Sequence, residues 1–495
     1  MTPVRLGLWA GLIAIPVVAA HLPSFFHRLL DGDEAIYGSI AALMNTGGRL
    51  YADGGVDNKP PGIFWVYAAT FHLFGTYQMT AIHAVSLVAV AATCALIFLI
   101  ARSMGSIHAG LLASLAYGVF TGAGYPRLGA ANTEAFMMLP LVASVLLQLE
   151  RRWLWSGAIL ALAGAFKQVA AANLLLLPVA LVLLEPAERR LRAGIAFGVG
   201  LAGAGLLVLL AVVITGSLPG MLHWTVGTLT GYAAASWRLD GLWQRIVGGP
   251  QGGPLQFVGT TAVLWLAAGW RVSHWKSLGV RERLIVAWLV AAVAGAMAGG
   301  HMFGHYFIQV LGPLAVLAGL AIDRALTTPM RRWLAAAVTV GIAAPLVGWV
   351  AYDLNADPIT YDWGQPVAQH ELIATYMRNH TRPGDRVFVW GDWPALYVES
   401  DRLMASRFPG FLRGFARGSG LPPNNWDTIP EVWTELQSDL ARTPPILIVD
   451  TSTARWSDFS MYPMNNYPVL ADLVASHYHV VATVDGVVIY SPNSP

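Results

Sequence analysis

Cysteine and lysine are nearly missing from this chain, and charge of either sign is scarce. Cys94 is the one cysteine among 495 residues and lies in an apolar stretch, so neither an internal disulfide nor a thiolate zinc site can be built. Charged residues make up 12% against 56% hydrophobic, and mean hydropathy is +0.55, which excludes a water-soluble globule of ordinary composition. The formal net charge is +2 and no basic run occurs, so a polyanion has nothing to grip and nucleic acid is not a partner. No nucleophile elbow, P-loop, zinc-protease motif or convincing internal repeat is present. GVGLAG at 198–203 matches the dinucleotide fingerprint, but it lies inside an apolar span where small residues serve close helix packing. Only Lys59, Lys167 and Lys276 are lysines among 30 basic side chains, and with abundant alanine and glycine this fits a GC-rich bacterial genome.

What the chain has instead is apolar length. Segments suited to crossing ~30 Å of hydrocarbon fall at 6–20, 77–100, 107–122, 134–149, 153–166, 169–184, 193–215, 255–270, 284–298, 306–322 and 333–350. They predict a polytopic α-helical membrane protein of about 11 transmembrane helices. Several are short, notably the pair around Lys167 and Gln168, which reads as a partly re-entrant hairpin. With the N-terminus cytoplasmic, inside loops carry twice the arginine and lysine of outside loops, and an odd span count places the C-terminus outside. The expected setting is the bacterial inner (plasma) membrane. The first span is read as an anchor, because no clear small-x-small cleavage site follows it.

Charged residues, proline and asparagine return after Val350. Domains are expected at 1–352, a transmembrane domain whose first outer loop (21–76) carries a juxtamembrane helix, and at 353–495, an extracytoplasmic α/β domain. Within the latter the patterns predict a helix at 369–379 and a strand at 386–390. A helix at 431–440, a strand at 446–449, a helix at 468–476 and a hairpin at 480–490 follow.

Two clusters in the first outer loop carry chemistry. In DGDEAIYG (31–38), Asp31 and Glu34 are spaced like a capping box ahead of an amphipathic pattern of Ile36, Tyr37, Ile40, Leu43 and Met44. That leaves Asp33 unexplained, and three carboxylates within four residues repel one another, which favours a base poised to take a proton. In DNKPPGIFW (57–65), Lys59 is either a snorkelling side chain or a compact ammonium for a departing phosphate.

In the next outer loop Arg127 and Glu134 lie on the same side of the membrane. Glu134 reads as a helix-start residue, with Asn132 or Thr133 as cap, or as a second functional carboxylate. Lys167 interrupts apolar spans, where charge needs a cavity or a partner. His301 and His305 are spaced to share a helix face, as metal ligands do, but no third ligand accompanies them; a phosphate contact from His305 or Tyr306 fits better than zinc.

In order and spacing, Asp33-Glu34, then Lys59-Pro60-Pro61 with Trp65, then Asn132-Thr133-Glu134 resemble the lipid-dependent glycosyltransferases of the GT-C type. The resemblance is to the protein O-mannosyltransferase and aminoarabinose transferase group. The stretch VFVWGDWPALYVESDRLMASRF (387–408) is similar to the outer domain of bacterial members.

The resemblance implies an integral membrane glycosyltransferase that moves a hexosyl or pentosyl unit, with inversion, from a polyprenyl-phosphate donor to a hydroxyl of a glycan, lipid or protein acceptor. Asp33 would be the catalytic aspartate, Glu34 its companion and Glu134 the second acidic site. Lys59, Arg127, Lys167, His305 and Tyr306 are the candidates for the donor phosphate. Many aminoarabinose transferases carry arginine where this chain has Ile36, so that contact is either missing or comes from Arg127, Arg238 or Arg245. No cofactor is required; should a divalent metal bind, Asp33 and Glu134 are its candidate ligands. The rival readings are a transporter or lipid flippase, and a non-catalytic partner in cell-envelope glycan assembly.

Overall fold

In the computed structural model, the residues described are 3–122, 129–227, 242–248, 253–327, 332–355, 367–391, 393–410, 431–454, 460 and 462–493. The chain is mostly helical, with one small sheet near its C-terminus.

The helices are α1 (Pro3–His21), α2 (Gly32–Asn45), α3 (Gly62–Phe74), α4 (Met79–Arg102), α5 (Ile107–Gly122), α6 (Thr133–Leu149) and α7 (Trp153–Gly164). Then follow α8 (Leu176–Leu184), α9 (Ala187–Ile214), α10 (Leu218–Met221), α11 (Leu242–Val247), α12 (Pro254–Thr260) and α13 (Ala262–Ser273). The series ends with α14 (Val280–Ala298), α15 (Ile308–Leu326), α16 (Arg332–Asn355), α17 (Val367–His380), α18 (Ala395–Ser400), α19 (Glu431–Arg442) and α20 (Pro468–His477).

The residues divide into two compact units: 1–27, 83–211 and 237–356 form one, and 28–82, 212–236 and 357–495 the other.

The first unit is a helical bundle. Helix α15 runs through its interior, buried from Ile308 to Ile322, and packs on α5, α13 and α14. Gly319 permits the approach to α5, since a Cβ there would meet the Ala109 carbonyl at 2.6 Å. The sequence reading of GVGLAG is matched at Gly200 of α9, where a Cβ would fall 1.8 Å from the Leu154 carbonyl of α7; Gly157 of α7 meets Phe197 of α9 in the same way. Elsewhere α9 shows Leu206, Leu207, Leu210 and Ile214 to its surroundings, the mark of a helix solvated by lipid.

Four helical stretches among the described residues are long and apolar enough to cross a membrane: Met79–Arg102, Ala187–Ile214, Gly304–Leu326 and Ala335–Tyr352. This is a multi-pass membrane protein. Every apolar segment expected from the sequence contains helix, but not always one helix. The segment at 255–270 is split at Thr261 into α12 and α13. The pair around Lys167 is broken: α7 stops at Gly164, Lys167 is extended at φ −155° and ψ 135°, and a 3-10 stretch, Gln168–Leu175, leads into α8. Apolar composition specifies burial in lipid and does not distinguish α from 3-10 hydrogen bonding.

In the second unit the sheet has order β2-β1-β3-β5-β4, with β1 Arg386–Trp390, β2 Leu403–Met404, β3 Leu447–Asp450, β4 Tyr478–Val484 and β5 Val487–Pro492. β1 pairs in parallel with β2 and β3, through crossovers carrying α18 and α19, while β5 runs antiparallel to β3 and β4. Buried β3 and, beyond half-buried Arg386, β1 read as the short apolar runs LIV and VFVW. The two-residue β2 and helix α18 are too short to have been visible as patterns.

Candidate active site

The second unit assembles the chemistry of the loop region between α1 and α4. Asp31 caps α2, its side chain accepting from the Asp33 N–H at 2.8 Å. Glu34 reaches back one residue further than a capping box requires: its Oε2 accepts from the Leu30 N–H at 2.6 Å, and the side chain is buried. With the cap satisfied by its neighbours, Asp33 is left on the opening turn at 25% side-chain exposure.

Four residues along the same helix face, Tyr37 donates its hydroxyl to Asp33 Oδ2 at 3.1 Å. Tyr37 is fully buried and holds its ring edge-to-face against Phe64 and Tyr67, at centroid distances of 5.8 and 5.7 Å, so its hydroxyl has little freedom.

Lys59 comes to the same place from the loop that enters α3. Its Nζ lies 3.8 Å from Asp33 Oδ2 and 3.5 Å from Asp57 Oδ1, and 5.5 Å from the Tyr37 ring centroid. The loop is shaped locally by Asp57 Oδ1, which accepts from the Lys59 N–H at 3.2 Å, and by the Tyr51 hydroxyl, which donates to the Lys59 carbonyl at 2.6 Å. Tyr51 is buried with φ +63°, and Gly220 of α10 lies against its carbonyl, where a Cβ would come within 2.1 Å. Burial raises the Asp57 carboxyl above its ordinary value; the Lys59 ammonium works against that rise and the Asp33 charge adds to it. The constellation is thus a partly exposed aspartate and a partly exposed lysine at ion-pair distance, with Tyr37 and Asp57 orienting them.

The first unit holds a second polar cluster at the broken helix. Glu134, fully buried on the first turn of α6, is ion-paired with Lys167 and accepts the Thr133 hydroxyl at 2.8 Å. Lys167 Nζ sits 3.6 Å above the Tyr306 ring centroid, and the His305 ring meets Tyr306 edge-on at 4.8 Å. Glu134, Lys167, His305 and Tyr306 are therefore brought together, and the break after α7 is what allows Lys167 to reach a buried carboxylate.

His301 and His305 do not share a helix. Met302 has φ +57°, the 3-10 turn Gly304–Phe307 begins beyond it, and the Phe303 ring stacks on both imidazoles. Among the described residues no group of three His, Cys, Asp or Glu is placed to hold a metal ion. Asp33 and Glu134 face lysines instead. Arg127 and Arg238 lie outside the described residues; Arg245 is on α11.

Sequence reading missed two members of the first cluster. Tyr37 fits the apolar helical pattern, which hides its role, although its spacing of four from Asp33 is the signal for it. Asp57 fits an ordinary loop position, although the Asx-x-Lys spacing is that of a side chain folding back on its own backbone.

Residues 58–215 match the dolichyl-phosphate-mannose-protein mannosyltransferase family. Among solved structures, ArnT from Cupriavidus metallidurans bound to undecaprenyl phosphate is similar with a TM-score of 0.61 at 15% identity, covering 99% of this chain and 98% of that one. ArnT in the apo state gives 0.62 at 16% identity, covering 99% and 98%. The archaeal oligosaccharyltransferase AglB from Archaeoglobus fulgidus, in complex with an inhibitory peptide and a dolichol-phosphate, gives 0.58 at 11%, covering 100% of this chain and 75% of that one. No curated protein is a significant sequence match. Over nearly its whole length the chain thus has the fold of the GT-C type lipid-dependent glycosyltransferases, resembling their protein O-mannosyltransferase and aminoarabinose transferase group.

Proposed function

We propose that the protein is an integral membrane glycosyltransferase that takes a monosaccharide from a polyprenyl-phosphate donor and places it on an acceptor hydroxyl at the extracytoplasmic face. The observation that carries this reading is the approach of Lys59 to Asp33, 3.8 Å apart and both reachable, in a chain whose fold neighbours include one bound to undecaprenyl phosphate and one bound to a dolichol-phosphate.

Asp33 is the general base. Its carboxylate, oriented by the Tyr37 hydroxyl, takes the proton of the acceptor hydroxyl as that oxygen attacks the anomeric carbon. The bond from that carbon to the phosphate oxygen breaks, its electron pair leaves with the phosphate, and the anomeric configuration inverts. Lys59 stabilises the charge gathering on the departing phosphate; as it turns from Asp33 to the lipid phosphate it frees the carboxylate oxygen for the acceptor. Glu34 acts by fixing the turn that presents Asp33. Glu134 is the second acidic group, paired with Lys167, and Lys167, His305, Tyr306 and Arg127 are further donor-phosphate candidates. The acceptor is a glycan, lipid or protein, and the sugar a hexose or pentose.

Mass spectrometry of copurifying lipids names the donor, and that donor, labelled in the sugar, then tests transfer by the purified protein. The expected product is a glycoside of anomeric configuration opposite to the donor's, read by NMR. Binding without transfer, or release of label across vesicles with no glycoside formed, would instead establish one of the non-catalytic readings.

A further inference from the structure

The loop that carries Lys59 is gripped by residues far along the chain. The Val56 N–H, three positions before Lys59, donates to the Arg407 carbonyl at 3.1 Å, and Val56 is buried. Arg407 is itself held at its backbone and its side chain by one carboxylate, with a second beside it. Asp439 of α19 accepts from the Arg407 backbone N–H and Nε on Oδ2, both at 2.9 Å, and from Nη2 on Oδ1 at 2.9 Å. Arg442 adds a bond to Oδ1 at 2.8 Å, and Glu435 lies 3.1 Å from Arg407 Nη1. Asp439 has 1% side-chain exposure.

A carboxylate that binds both the backbone N–H and the guanidinium fork of one residue fixes the peptide plane entering that residue as well as its side chain. The plane leaving Arg407 is held by the Phe408 N–H, which donates to Ser406 Oγ at 3.3 Å, and the Arg407 carbonyl, set between these two anchors, receives Val56. Three residues beyond Val56, past Asp57 and Asn58, the chain reaches Lys59, whose ammonium faces Asp33.

We propose that Arg407, clamped by Asp439, is a positioning residue for Lys59, so that residues of the C-terminal segment set the affinity of the lipid-phosphate site. The inference rests on the reading of Lys59 as a phosphate ligand. Neither Arg407 nor Asp439 touches the reacting atoms; they act by limiting where the loop can place its lysine.

A double-mutant cycle on the full-length protein in detergent tests it, with undecaprenyl phosphate as the probe and binding measured by native mass spectrometry. Asp439→Asn should weaken binding by about three- to tenfold, and Lys59→Ala should weaken it more. The double variant should be no weaker than Lys59→Ala alone, a coupling that general destabilisation does not produce. Additive losses, or Asp439→Asn binding like wild type, would overturn the clamp while leaving Lys59 as a ligand. Unchanged binding in Lys59→Ala would overturn the clamp together with the reading beneath it. Arg407→Lys keeps the charge but cannot form the fork, and it carries the same prediction if Asp439→Asn does not yield a monodisperse protein.

Discussion

Asp57 shows how the Lys59 loop works at the residue level. Its Oδ1 shapes the turn by accepting from the Lys59 N–H and also lies near the Lys59 ammonium, yet burial raises its carboxyl above the ordinary 3.8. A raised carboxyl binds its proton more tightly folded than unfolded. As pH climbs past the unfolded value, the unfolded chain ionises first and the folded state loses stability; the loss is complete once pH exceeds the folded value. Asp57→Asn keeps the turn acceptor and removes this loss. The variant's melting temperature should therefore equal wild type at about pH 3.5 and exceed it at about pH 7, and a difference that stays constant with pH would refute the assignment. Asp33, Lys59 and Glu134 were legible because charge beside an apolar segment demands a reason. Tyr37 and Asp57 were hidden because each also fits an ordinary local role, and Arg407 and Asp439 because nothing in sequence links residues 32 positions apart to a loop near the N-terminus.

At the scale of elements, the break between α7 and α8 matters most. A continuous helix would carry Lys167 on a lipid-bound rod; the extended residue and the 3-10 stretch after it instead place the ammonium on Glu134 and over Tyr306. Removing one partner of such a buried pair leaves a stranded charge, so Lys167→Met should cost about 3–5 kcal/mol. Lys167→Met combined with Glu134→Gln should recover most of that loss, as thermal unfolding and yield of monodisperse protein would show. If the double variant were as unstable as the single, the pair would not be the reason for the break. The sequence located each helix to within a few residues where apolar runs were long. It missed the split at Thr261 and the 3-10 turn, because both depend on which carbonyl each N–H finds, and lipid-facing composition leaves that open. In the C-terminal segment the strands at Arg386–Trp390 and Leu447–Asp450 were visible as short apolar runs between helices, whereas β2, only Leu403–Met404, exists by pairing with β1 alone.

At the scale of the whole molecule, the expected arrangement puts the Asp33 and Lys59 chemistry outside the cell and the arginine-rich loops inside. The single cysteine, buried Cys94, makes this simple to test by labelling. In a Cys94→Ala background, Ser476→Cys should react with a membrane-impermeant maleimide in intact spheroplasts, and Lys276→Cys only after permeabilisation. The reverse pattern would invert the topology and remove the extracytoplasmic acceptor from the account. The central claim is that Asp33 is the base for transfer from a lipid phosphate, and Asp33→Asn tests it most directly. With the copurified donor and a matching acceptor, the variant should still bind undecaprenyl phosphate and remain monodisperse, while transfer falls by about 10²–10⁴-fold. Turnover at the wild-type rate in Asp33→Asn would contradict the mechanism.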